Sequence, residues 1–108
     1  MNNEKFSNAV TAQMKRSRDV LIDKGKEYGN NADRLAHFRK AAALQDTTEQ
    51  DALYGMLSKH LVSVAEMCGT GDVQDYPKSL WDEKITDSIN YFLILAAIVA
   101  DKKEGYIL

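Results

Sequence analysis

The chain has 108 residues, 44% of them hydrophobic and 28% charged, and a formal net charge of -2. That is the length of one domain with an ordinary globular composition, and so weak a charge excludes a bulk electrostatic pull toward nucleic acid polymers or an acidic membrane. The one cysteine, Cys68, excludes an internal disulfide and fits a reducing compartment. The opening MNNEKFSNAV has no apolar signal core, and the longest apolar run, 91–100, is about half of what a bilayer crossing needs. A single all-α domain over 1–108, cytoplasmic and without a membrane partner, is the expectation.

Pro77 is the only proline, so long helices are permitted almost everywhere. A first helix is predicted over about 3–24, where Phe6, Val10, Met14, Val20 and Leu21 recur at helical spacing and Gly25 can stop the chain. The stretch 26–31 is a loop by its turn chemistry. A second helix is predicted over about 32–44, with Leu35, Phe38 and Ala42 on one side. Thr48 can open a third helix, with Asp51 where a capping-box acid belongs. Its stripe is Leu53, Leu57, His60, Leu61, Val64 and Met67, and Gly69 to Asp72 should end it. Cys68, beside Met67, is expected to pack.

A linker through Pro77 leads to a fourth helix over about 80–103, capped by Ser79 and carrying Asp82 and Glu83 in its first turn. Ile85, Ile89, Phe92, Ala96 and Val99 share one face of it, with Ile94 and Ile98 roughly opposite. The C-terminal half is therefore apolar all round, which calls for burial on several sides. The resulting picture is a four-helix bundle-like fold with a long apolar C-terminal helix, assembled into a homo-oligomer.

Polar residues interrupt this pattern in three places. On the fourth helix, Glu83, Asp87, Asn90 and Tyr91 form a stripe that runs into Ile94 and Ile98. Partly buried carboxylates need partners: Asp87 can pair with Lys59 or Arg34, and Asn90 can bond backbone, or both can meet a ligand. On the third helix, Lys59, Ser63 and Glu66 form a second stripe, with His60 on the apolar side as a core group or a ligand contact. Finally, Lys24, Lys26, Tyr28 and Arg34 gather cations and an aromatic ring around the first loop, a mix that suits phosphate and a stacked base. No Walker or dinucleotide glycine loop is present, nor a Ser-His-Asp or Cys-His arrangement. His37 and His60, without a matching ligand pattern, do not make a structural zinc site.

Lys24-x3-Tyr28, Asp33-Arg34-Leu35, Gly55-Met56-x2-Lys59-His60-x2-Ser63 and Trp81-x-Glu83-Lys84-Ile85-x-Asp87-x2-Asn90-Tyr91 together resemble a widespread group of small all-α proteins of tailed bacteriophages and prophages. The resemblance spans about 15–100 and implies the cytoplasm of an infected bacterium. Glu83-x3-Asp87 is also similar to one metal-binding half-motif of MazG-like nucleotide pyrophosphohydrolases, which implies magnesium held by Glu66, Glu83 and Asp87. Those enzymes carry a Glu-x2-Glu on the preceding helix, where this chain has Lys59 and Ser63. A lysine there competes with magnesium and suits phosphate directly. The resemblance then implies a binder without cofactor or catalytic residues: an oligomeric sponge that sequesters a nucleotide or cyclic nucleotide signal of antiphage defence (anti-CBASS immune evasion). Its site would draw on Lys24, Lys26, Tyr28, Arg34, Lys59, His60, Ser63, Asp87, Asn90 and Tyr91. The MazG-like hydrolase and a purely structural or protein-binding accessory are the other expectations.

Overall fold

The computed structural model describes residues 1–24 and 33–104, without the side chains of Lys24 and Glu104. Lys26 and Tyr28 lie outside the described residues. The described chain is all-α: α1 (Asn3–Arg18), α2 (Ala36–Gln45), α3 (Glu49–Gly69) and α4 (Lys78–Glu104), with no strand among the described residues.

Local chemistry sets the helix ends. The Asn2 side chain accepts from the Lys5 amide and caps α1. After Arg18 the helix does not stop but widens into a π-helical turn, Asp19–Lys24, an irregularity common beside functional sites. The second helix begins later than its apolar pattern suggests, because the Asp33 side chain captures the Leu35 amide in a turn. It ends where Asp46 enters the left-handed region at φ 52 and the Thr47 amide reaches back to the Ala42 carbonyl. Thr48 caps α3 as expected, accepting from the Asp51 amide, while the Asp51 carboxylate takes the Thr47 hydroxyl. Ser79 does not cap α4: the helix starts one residue earlier, right after Pro77, whose carbonyl accepts from Leu80 and Trp81. The linker before it is a 3₁₀ turn, Val73–Asp75, fastened by the Trp81 indole donating to the Val73 carbonyl at 2.9 Å. Gly71 is required there: at φ +147, a Cβ would lie 2.2 Å from an Asp75 carboxylate oxygen.

The longest helix, α4, packs along α3 and against α1, and α2 packs on α3. The core is Phe38, Leu53 and Ile98, flanked by Leu35, Met56, Tyr91, Ile94 and Leu95. The apolar stripes of α2 and α3 are the buried ones: Phe38, Ala42, Leu53, Leu57 and Met67 all face inward. Met67 takes the inward position at its turn, so its neighbour Cys68, about 100° round the helix, is exposed rather than packed.

Two helices leave part of their apolar pattern uncovered in the described chain. On α4 the Ile94–Ile98 side is the covered one, with Ile98 at 0% exposure, while Phe92 and Val99 stand 51% and 47% exposed. On α1, Phe6, Val10 and Met14 are exposed too, and the helix meets α4 instead through Gln13, which bonds Thr86 at 2.9 Å. Periodicity locates an apolar face but not what covers it. Polar Lys78, Asp82 and Lys84 and the Asp101–Lys103 end interrupt α4, and among the described residues no helix is long and apolar enough to cross a membrane. The long helix is thus of mixed character, not apolar throughout.

Candidate functional site

The π turn, the start of α2 and one face of α4 enclose a cleft of about 1030 Å³, at the upper end of the size of small-molecule sites. Its α4 wall is a single stripe at helical spacing: Ser79, Asp82 and Glu83, then Thr86 and Asp87, then Asn90 and Tyr91, and last Leu93, Ile94 and Ala97. The wall therefore changes from charged to apolar along its length. Arg16, Asp19, Val20, Leu21 and Ile22 form the second wall, and Arg34, Leu35, His37 and Phe38 the third.

Both arginines are held in place. The Gln13 amide donates to Thr86 and Ser17, and its oxygen accepts from Arg16 Nη2 at 3.0 Å. Arg16 also lies 3.6 Å from Asp82. Arg34 Nη2 donates to the Leu21 carbonyl at 2.9 Å, so it satisfies a backbone acceptor of the π turn. No carboxylate among the described residues lies within ion-pair distance of the Arg34 guanidinium, although Asp19, Asp82, Glu83 and Asp87 line the same cleft.

Most of the cleft's carboxylates are matched. Asp19 pairs with Lys15 at 2.7 Å and Asp82 with Lys78 at 2.7 Å. The Lys78 hydrogen bond, helped by the charges of Arg16 and Lys78, holds the Asp82 carboxyl below its ordinary value despite some desolvation. Asp87 lies 3.8 Å from His60 Nδ1, and the His60 ring stacks tilted against Tyr91 with centroids 5.0 Å apart. Burial, and then the Asp87 charge, raise the Tyr91 phenol above its ordinary value, so the ring stays neutral through the physiological range. Asp87 thus meets His60 rather than Lys59 or Arg34.

Asn90 is the anomaly. Three polar residues of α4 are buried, Thr86, Ser88 and Asn90. Thr86 is bonded to Gln13, and Ser88 to the Lys84 carbonyl. Asn90 is 6% exposed, and neither its amide nitrogen nor its amide oxygen has a partner among the described residues. Buried side-chain amides are almost always hydrogen-bonded, and an orphaned one costs about 1–3 kcal/mol.

The cleft gathers Arg34, Asp87, Asn90, Tyr91 and Glu83 from the residues singled out in the sequence. Lys59 and Glu66 are exposed on α3 and outside it, and the Ser63 hydroxyl turns back to the Lys59 carbonyl. His60 touches the cleft's residues from behind. With Glu66 apart from Glu83 and Asp87, no group of three or more His, Cys, Asp or Glu among the described residues is placed to hold a metal ion, so the described side chains do not fit a magnesium cage. Arg16, Thr86 and the π turn were not visible as site features, because an arginine and a threonine in a polar helix carry no signal of their own. Comparison with protein-family models, curated proteins and solved structures found no match for this chain.

Proposed function

We propose that this protein binds a nucleotide in the cleft between α1, α2 and α4 and holds it without turnover. The observation that carries this reading is the joint placement on one cleft of the Arg34 guanidinium, the Tyr91 ring and the unsatisfied Asn90 amide. A guanidinium suits phosphate, an aromatic ring suits a base, and an amide suits the polar edge of a base. The resemblance to small phage proteins points to a nucleotide or cyclic nucleotide signal of bacterial defence as the ligand, sequestered in the host cytoplasm. The exposed Phe92, Leu93 and Val99 of α4 and the exposed Phe6, Val10 and Met14 of α1 support a homo-oligomer.

The MazG-like pyrophosphohydrolase reading has one observation in its favour, since Glu83 and Asp87 line the same cleft. Incubation with nucleoside mono-, di- and triphosphates and cyclic dinucleotides, with magnesium, separates the two. A binder retains one class intact, and Arg34→Ala weakens that retention about tenfold or more, as expected for a charge-assisted contact of roughly 1.5–3 kcal/mol. Pyrophosphate release that vanishes in Glu83→Gln would establish the hydrolase instead.

A further inference from the structure

We infer that Asn90 is the base-reading residue of the cleft, and that the ligand carries a planar heterocycle presenting a hydrogen-bond donor beside an acceptor. This rests on the proposed nucleotide-binding function and names the group that would select the base.

The inference starts from what the fold does with its buried polar side chains on α4. Thr86 and Ser88 are each given a bond at 2.9 Å. Asn90, one turn further on, is buried as deeply and given none among the described residues. A leucine would fill such a position without loss of hydrogen bonding. Asn90 lines the cleft next to Tyr91 and one turn from Asp87, and both of its amide atoms are shielded from water. No described residue supplies its partner, and a group entering the cleft can.

The chemistry of that partner follows from the amide. It offers an N–H donor and a C=O acceptor about 2.3 Å apart in one plane, as in any carboxamide. Adenine, cytosine, guanine and uracil all present a donor and an acceptor side by side, and the bidentate pairing of Asn with adenine is a recognised case. An ionised phosphate, which only accepts, does not match this donor–acceptor pair. The terminal torsion of an asparagine is broad and two-fold, so a flip exchanges donor and acceptor, and because both amide atoms are covered, a base reaches them only when a neighbouring side chain gives way. The neighbouring Tyr91 ring, kept neutral, supplies an apolar surface for the same heterocycle.

The test compares binding of ATP, GTP, CTP and UTP, which differ only in the base, with one another and with inorganic tripolyphosphate, which has three phosphates and neither base nor ribose. The full-length protein, Asn90→Leu and Asn90→Ala are measured side by side, each checked for helical content. The wild type should bind at least one of the four triphosphates about tenfold or more tighter than tripolyphosphate, and both variants should lose that margin while keeping tripolyphosphate affinity, since a bidentate amide–base pair is worth roughly 1–3 kcal/mol. A base margin that survives in a folded variant would overturn the role of Asn90 and leave nucleotide binding standing. Equal wild-type affinity for the triphosphates and tripolyphosphate would overturn base reading while the anion site stands. No binding of any of the five, nor of the cyclic dinucleotides of the wider panel, would overturn both.

Discussion

Replacing Asn90 by leucine should stabilise the protein, which is unusual for a buried polar position. The side chain is 6% exposed, and both amide atoms lack partners among the described residues. Burial of an unsatisfied polar group costs about 1–3 kcal/mol, and leucine, which keeps the branched outline of asparagine but is bulkier, removes that cost and adds apolar contact, provided the site takes up the extra volume. The expected gain is about 1–3 kcal/mol, which for a domain near this size raises Tm by roughly 4–15 °C. Urea and thermal unfolding followed by circular dichroism measure it. Thr86→Val is the control of opposite sign: it takes the acceptor from Gln13, which also orients Arg16, and should cost about 0.5–1.5 kcal/mol. If Asn90→Leu lowers stability as Thr86→Val does, the amide is satisfied in the folded chain, and the inference built on its lack of a partner fails. A variant that is more stable yet has lost base selectivity would match a position kept at a cost for binding.

Ile98→Ala should destabilise by about 2–5 kcal/mol, because Ile98 is fully enclosed by the Phe38–Leu53 core. Phe92→Glu, on the exposed side of α4, should leave the fold intact but reduce the mass measured by light scattering toward the 12.1 kDa protomer; a wild type that is already 12.1 kDa would remove the oligomer. Asp87→Asn should lower the Tyr91 pKa without returning it to 10.0, since burial is the larger cause of its rise. A phenol whose folded pKa is raised contributes stability that is complete below the unfolded pKa of 10.0 and is lost as pH climbs through the folded one. Titration of Tyr91 by NMR reads this, and a full return to 10.0 in Asp87→Asn would assign the shift to charge alone.

Local chemistry, by contrast, was legible along the chain itself. Thr48, the Gly69–Asp72 run and the spacing of Phe38, Ala42, Leu53, Leu57 and Met67 mark helix ends and inward faces, because caps and 3.6-residue periodicity act within a few residues of themselves. The stripe Glu83, Asp87, Asn90, Tyr91 and Ile94 likewise announced a shared face, and it became one wall of the cleft. Only the tertiary structure decided which of two apolar faces of α4 meets the core, left Phe6, Val10 and Met14 uncovered, and brought Arg16 and Arg34 to α4 across the π turn. Those outcomes depend on which helix lies opposite, a relation between residues as far apart as Gln13 and Thr86. The isolation of the Asn90 amide is of the same kind: nothing about an asparagine in a helix tells whether a partner will stand across from it, and the packing of the other elements covers the amide without giving it a partner among the described residues.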